Sequence, residues 1–138
     1  MSRYLLDNGV LTAYLKGRPG ALRLIRPWIL AREVATSILV YGEAIEYLKS
    51  DAAFLLRRAE LRALLREVAP LALTYPILER YAELRRELRR SGGLIGDVDT
   101  LIAATALDHD LTVVTLDSDF QRVPGLTIMR LTRGELMA

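Results

Sequence analysis

The chain has 138 residues, enough for one hydrophobic core, and we expect residues 1–138 to form a single domain. Hydrophobic residues make up 51% of the chain and cysteine is absent, which excludes extensive disorder, disulfides and thiolate zinc sites. The net charge is only +2, and no apolar run reaches the ~18 residues of a membrane span or has the form of a signal peptide, so we expect a cytoplasmic protein without membrane contact.

The first predicted element is a short apolar strand, Tyr4-Leu5-Leu6, which Asp7 follows directly. Continuous apolar character without alternation is typical of a strand covered on both faces, as in a parallel sheet. Asn8-Gly9 indicates a turn, and residues 10–15 a helix. Asp7 is therefore expected at the C-terminal end of the strand, the edge at which open α/β sheets bind ligands. A helix cap or turn is its alternative role.

The next segment predicts a loop at 17–20, a helix at 21–31, a possible strand at 33–36 and a helix at 38–50 capped by Thr36 or Ser37. The second of these helices has one plainly polar sector, which contains Glu46. Glu43 lies outside that sector, between Leu39 and Tyr47 at i−4 and i+4. A carboxylate on an otherwise apolar face indicates either a functional group or a hydrogen-bonded structural one.

A fourth helix is predicted at residues 52–68, ended by Pro70, followed by a short strand at 71–73. A long helix follows at residues 74–93, which Thr74-Tyr75-Pro76 opens and Gly92-Gly93 ends. The long helix carries the densest basic cluster of the chain: Arg85, Arg86, Arg89 and Arg90. Arginine makes bidentate contacts with phosphate, so this cluster fits nucleic-acid binding. A solvated, salt-bridged helix face is the more favoured interpretation.

The helix predicted from Gly96 to Leu107 is apolar on nearly every face, so we expect it to be buried. Asp99 lies in its first turn, where burial of a lone carboxylate is costly unless the helix N-terminus or a metal ion offsets the cost. A first-turn acid favoured by the helix dipole is its alternative role. Asp97 is the better N-cap candidate, and about 200° of rotation separates it from Asp99.

The last predicted elements are a strand at 111–115, a turn at Pro124-Gly125 and a strand at 126–131. Asp117 follows the first of these strands, as Asp7 follows the strand at the start of the chain. Strands alternate with helices throughout, which predicts an α/β domain with a parallel or mostly parallel sheet and helices on both sides. His109, the single histidine, has no motif around it, and we expect it to be structural.

Four acids, Asp7, Glu43, Asp99 and Asp117, have no matching lysine or arginine in their motifs. If they met, they would repel one another unless a divalent cation bound between them. Ligand sets made only of oxygen select hard cations such as Mg²⁺ or Mn²⁺, which can activate water and stabilise the leaving oxygen of a phosphodiester. The chain has no Walker A or GxGxxG motif and no Ser-His-Asp arrangement.

Four segments resemble the ordered motifs of the PIN-domain ribonucleases, and of their VapC toxins in particular: Tyr4-Leu5-Leu6-Asp7 and residues 37–43, 96–107 and 114–120. The resemblance extends from Tyr4 to about Leu126. It implies a three-layer α/β/α fold and a metal-dependent endoribonuclease that cuts single-stranded or loop RNA, leaving 5′-phosphate and 3′-hydroxyl ends. It also implies the toxin role in a toxin–antitoxin pair, with a cognate antitoxin as partner and frequent homodimers.

The same resemblance implies which residues form the site. Asp7, Glu43, Asp99 and Asp117 would be catalytic, with Mg²⁺ or Mn²⁺ on Asp7, Asp99 and Asp117. Glu43 would orient the attacking water or bind a second ion, and Asn8 and Thr115 would position the substrate. Asp119 is assigned to the closing turn, outside the innermost group of acids.

The chain departs from the family at Asn8-Gly9, where the family has Thr or Ser followed by Asn. Asn8 can still donate to a phosphate oxygen, but Gly9 offers no side chain. This departure favours an alternative function, a catalytically impaired PIN domain that binds RNA or a protein. Retention of all four acids favours the enzyme. A metal-binding α/β domain that acts on another phosphoester is a third possibility.

Overall fold

The structure is a computed structural model that describes all residues from 1 to 138. The strands and helices follow in this order: β1 (Tyr4–Leu6), α1 (Asn8–Leu15), α2 (Pro19–Leu30), β2 (Val34–Ser37), α3 (Ile38–Leu48), α4 (Phe54–Leu64), β3 (Ala69–Leu71), α5 (Tyr75–Ser91), α6 (Asp97–Asp108), β4 (Thr112–Thr115), a 3₁₀ helix (Ser118–Arg122), β5 (Ile128–Arg130) and α7 (Arg133–Met137). No helix has both the length and the apolar character needed to cross a membrane.

All five strands are parallel and lie in the order β3-β2-β1-β4-β5. The chain moves outward from β1 to β2 and β3, then returns past β1 and continues in the opposite direction through β4 and β5. Because connections between parallel strands are right-handed, this reversal places α1–α4 on one face of the sheet and α5 and α6 on the other. The predicted three-layer α/β/α fold with a parallel sheet is confirmed.

The core lies on both faces of the sheet, as the continuous apolar strands predict. Leu5, Leu6, Val113 and Val114 are all fully buried. Since neighbouring residues of a strand point to opposite faces, this pattern requires a helical layer on each side. Helix α6 is also buried as predicted, with residues 102–104 and 106 inaccessible to solvent.

Several predicted boundaries are wrong. Asn8 and Gly9 do not form a turn, because they begin α1 with Asp7 as its N-cap. Helix α2 begins at Pro19, since proline is well tolerated in a first turn. Pro70 lies within β3, an edge strand, where a missing N–H donor costs little. Helix α7 was not predicted, although the chain carries the capping box that starts it, Thr132 with Glu135.

The chain adds strands on one side of β1 and then, from β4, on the other side. The functional side chains lie at this reversal between β1 and β4. In open α/β sheets the connections leave the two central strands toward opposite faces, which opens a crevice at their carboxyl ends. The Asp7 N–H donates to the Val114 carbonyl at 3.0 Å, so the two strand ends stay paired up to the crevice. The residues that follow β1 and β4 therefore face each other across one edge of the sheet.

Candidate active site

Asp7 stands where β1 passes into α1, and its side chain caps the helix. Its Oδ1 accepts from the Asn8 N–H at 2.8 Å, and its Oδ2 accepts from the Thr115 hydroxyl at 2.8 Å. Burial raises the pKa of the Asp7 carboxyl, the two hydrogen bonds oppose that rise, and the nearby Asp117 carboxylate adds to it. The carboxylate is thus held in one orientation by the first residue of α1 and the last residue of β4.

Thr115 ends β4 and links the two strand ends through its side chain. Its hydroxyl donates to Asp7 and accepts from the Asp117 N–H at 3.0 Å. The residue is fully buried, so neither bond competes with bulk water. Thr115, predicted to position the substrate, holds Asp7 and the Asp117 backbone in place within this structure.

Asp117 and Asp119 lie on the short turn that follows β4. Asp117 caps the 3₁₀ helix, with its Oδ1 accepting from the Asp119 N–H at 2.9 Å. One carboxylate oxygen each from Asp99, Asp117 and Asp119 lie within 4.8 Å of one another. The expectation that Asp119 lies outside the innermost acids is wrong. The Asp-x-Asp spacing was visible in the sequence, but the fold of the turn was not.

Asp99 projects from the first turn of α6, as the sequence predicts. Its pKa is raised to about 6, first by burial and then by the charges of Asp7, Asp117 and Asp119. The N-cap of α6 is Gly96, which makes no side-chain cap, so Asp99 is one of two acids in the first turn of the helix. Burial and three neighbouring carboxylates together disfavour the charged form of Asp99.

Glu43 reaches the same group from α3. Its pKa is raised to about 7, chiefly by burial and then by Asp7 and Asp99. Its Oε1 is buried and makes no hydrogen bond. A buried polar atom without a partner is uncommon and points to a ligand or water at that place. No protein group fills the hydrogen-bonded structural role that the sequence left open for Glu43 at this oxygen.

Asp97 lies outside the group, as predicted from its angular separation from Asp99. Its side chain is 66% exposed and pairs with Arg85, with the Tyr81 hydroxyl at 3.5 Å. It is not the N-cap of α6, since Gly96 takes that position. Asn8, by contrast, lies beside Asp7 with a buried Oδ1 that makes no hydrogen bond.

The acids fit a hard divalent cation by the chemistry of their donors. Asp99, Asp117 and Asp119 offer only oxygen, as Mg²⁺ and Mn²⁺ prefer, and no lysine or arginine forms an ion pair with Asp7, Glu43 or Asp99. Arg122 approaches Asp119 at 3.8 Å and is half exposed, so it compensates little of the charge. A cation here would lower the repulsion that raises the pKa values of Glu43 and Asp99.

Known proteins resemble this chain in both sequence and fold. The family model of the PIN domain matches residues 4–126. The chain is 32% identical over 117 residues to the ribonuclease VapC10 of Mycobacterium tuberculosis, which spans 82% of this chain and 81% of that protein. The DNA-bound VapBC2 structure from Rickettsia felis matches with a TM-score of 0.82 at 23% identity, covering 93% of this chain and 98% of that one. The DNA-bound VapBC structure from Salmonella typhimurium gives a TM-score of 0.84 at 23% identity, covering 94% and 98%.

Proposed function

This chain belongs to the PIN-domain family, and we propose that it is a metal-dependent endoribonuclease, the toxin of a toxin–antitoxin pair. The convergence of unpaired carboxylates at the β1–β4 crevice carries the proposal. The relatives named as ribonucleases and the structural neighbours named VapBC support it. An acidic cluster of this kind would repel RNA phosphates unless cations neutralised it.

Mg²⁺ or Mn²⁺ is the proposed cofactor, held by Asp99, Asp117 and Asp7, with Asp119 as a further ligand. Both oxygens of Asp7 already accept one hydrogen bond, but each retains a lone pair for a cation. When bound, the ion would neutralise charge on the scissile phosphate and lower the pKa of a water molecule. The close approach of Asp119 to Asp99 and Asp117 supports adding it to the predicted ligands.

The reaction would be in-line hydrolysis of a phosphodiester. Glu43 would accept the proton of the attacking water through its buried, unpaired Oε1. The water oxygen bonds to phosphorus, and the P–O3′ bond breaks. The 3′ oxygen would leave and take a proton from solvent, giving 5′-phosphate and 3′-hydroxyl ends. The Asn8 amide would donate to a phosphate oxygen, and Thr115 would hold Asp7 in position.

The substrate would be single-stranded or loop RNA, because an open crevice between strand ends admits a flexible strand more easily than a duplex. We further propose a cytoplasmic protein of one domain, with a cognate antitoxin protein as partner and a homodimer as its assembly. One continuous cluster of 29 buried hydrophobic residues supports the single domain.

One observation favours the alternative of a catalytically impaired PIN domain that binds RNA or a protein. Gly9 supplies no side chain to the crevice, and a Cβ there would stand 2.9 Å from Leu116 Cδ1. Leu116 thus occupies the space in which a side chain at position 9 would lie. The retained acids favour the enzyme, so activity decides between the two.

The deciding experiment is RNA cleavage by the purified chain. A panel of structured and unstructured RNAs is incubated with Mg²⁺, Mn²⁺ or EDTA, and the product ends are identified by their reactivity to phosphatase and ligase. We expect metal-dependent cuts with 5′-phosphate ends, and growth arrest on expression that a neighbouring antitoxin gene relieves. No cut in any RNA, together with harmless expression, would reject the nuclease and favour the binding module.

A further inference from the structure

A pocket of about 360 Å³ opens between α1, the C-terminal end of α3 and α7. Its lining includes Gly9, Ala13, Lys16, Tyr47, Leu116 and Arg133. Gly9 is two residues beyond Asp7, and Leu116 lies directly between Thr115 and Asp117. The pocket therefore begins where the candidate active site ends, and we refer to it as the α1–α7 pocket.

The floor of the α1–α7 pocket depends on the contact between Gly9 and Leu116. A Cβ at position 9 would come within 2.9 Å of Leu116 Cδ1, so the leucine side chain lies where that Cβ would otherwise project. Glycine within a helix costs about 1 kcal/mol relative to alanine. Gly9 is the second residue of α1, so Leu116 packs close to the helix backbone and gives the pocket an apolar lining there.

The walls of the pocket combine an aromatic ring, apolar side chains and positive charge. Tyr47 is 50% exposed, and Lys16 Nζ lies 4.4 Å from its ring centroid, which fixes the ring at the pocket edge. Lys16, Arg18 and Arg133 all line the pocket, whereas no carboxylate does. An apolar and aromatic recess surrounded by cations suits a planar base carried on an anionic backbone.

We propose that the α1–α7 pocket binds the base of the nucleotide that adjoins the scissile phosphate. The proposal rests on the function proposed above for its choice of RNA as ligand. The base would lie against Leu116 and Tyr47, with Lys16, Arg18 and Arg133 contacting the flanking phosphates. The choice of cleavage site would then depend on the identity of the base next to the scissile phosphate as well as on contacts with the RNA backbone.

The test uses fluorescein-labelled hexauridylate and a fully abasic RNA hexamer, both with cleavage-resistant phosphorothioate linkages, in Mg²⁺ so that the acids are neutralised. Ala13→Phe fills the pocket without touching the acids. We expect it to weaken hexauridylate binding about 10-fold, within the range measured for loss of one base–aromatic stack, and to leave the abasic hexamer unaffected. Lys16→Ala should weaken both ligands, and Arg26→Ala, an exposed change on α2, neither.

Photocrosslinking of the wild-type chain gives a second measurement that does not depend on the folding of any variant. Hexauridylate carrying 4-thiouridine should crosslink to Tyr47, Leu116 or Met137, all of which line the pocket. Crosslinks that avoid all three residues would overturn the proposal. An equal loss of binding to both hexamers in Ala13→Phe would also overturn it. If Ala13→Phe weakened antitoxin binding alone, the pocket would be a protein-docking site.

The two proposals fail in different ways. A chain that cuts no RNA but loses hexauridylate binding in Ala13→Phe, with the abasic hexamer unaffected, would reject the nuclease and retain the base pocket. A chain that cuts RNA with unchanged rate and sequence preference in Ala13→Phe would retain the nuclease and reject the base pocket.

Discussion

Thr115 and Asp7 are 108 positions apart in the chain, and a 2.8 Å hydrogen bond joins the Thr115 hydroxyl to Asp7 Oδ2. The same hydroxyl accepts from the Asp117 N–H. One buried oxygen thus sets the relative positions of the residues that follow β1 and β4. Its removal should affect the site more than the fold.

Thr115→Val is expected to lower RNA cleavage by about 10- to 100-fold, as loss of a supporting hydrogen bond does in metal sites. Because the hydroxyl lowers the pKa of Asp7, its loss should also move the acidic limb of the pH–rate profile to higher pH. Thr115→Ser keeps the hydroxyl, so its cleavage rate and the position of its acidic limb should match those of the wild type. If Thr115→Ser lost activity as Thr115→Val does, the effect would come from packing and not from the hydroxyl.

Asp7→Asn and Asp99→Asn should each abolish cleavage and leave the chain folded, because an amide keeps the volume but loses the negative charge. Groups that act as one unit give non-additive losses, so the double variant should be hardly worse than either single change. Without metal, relief of repulsion should maintain or raise the melting temperature. Asp97→Asn is the matched control, since Asp97 pairs with Arg85 outside the group. Its inactivation would contradict this assignment.

Mg²⁺ binding without RNA should be weak, because such ions retain waters that substrate oxygens replace. Titration calorimetry should show modest affinity in the wild-type chain, no binding in Asp99→Asn and reduced binding in Asp119→Asn. The last result follows from the 4.8 Å grouping of Asp119 with Asp99 and Asp117. Glu46→Gln, an exposed change on α3, should bind as the wild type does. Equal Mg²⁺ binding by all four proteins would show that Asp99 and Asp119 do not bind the metal.

Without metal, the chain should be more stable in mild acid than above neutral pH. The folded pKa values of Glu43, about 7, and Asp99, about 6, exceed the ordinary values of these groups, 4.5 and 3.8. Between those limits the folded chain binds more protons, so stability falls as pH rises.

The measurement is the melting temperature in EDTA from about pH 5 to about pH 8. Both groups are partly screened by solvent, so a decrease on the order of 3 °C is expected. Glu43→Gln should flatten the curve, and Glu87→Gln, an exposed change on α5 away from these acids, should not. A melting temperature that rises with pH would contradict the raised pKa values.

The arginine cluster on α5 is expected to contribute to RNA affinity and not to chemistry. Arg85 is already paired with Asp97, whereas Arg86, Arg89 and Arg90 surround a small surface recess with no acid in its lining. Arg86→Ala with Arg89→Ala should weaken binding and reduce the salt slope by about 1.4, for two phosphates of a single strand. Arg26→Ala on α2 is the control. An unchanged slope would leave the cluster as a solvated helix face.

Local features of the sequence determined much of the fold. The apolar runs at β1 and β4 identified buried strands because parallel strands are covered on both faces, and the acids after them identified one sheet edge. The apolar faces of the stretch around Asp99 identified a buried helix. Glu43 was marked by its apolar neighbours at i−4 and i+4. Each of these features depends on residues within one element, so the order of residues alone was sufficient.

Only the tertiary structure decided how those elements meet. Strand order depends on packing between distant segments, so the reversal between β1 and β4, which creates the crevice, could not be derived from any local pattern. The inclusion of Asp119 depends on a turn closed by a side-chain hydrogen bond. The Leu116 side chain lies where a Cβ at position 9 would project, and these two residues are far apart in sequence. Residues that follow different strands become neighbours only when the sheet forms, because pairing of β1 with β4 fixes distances that chain connectivity leaves free.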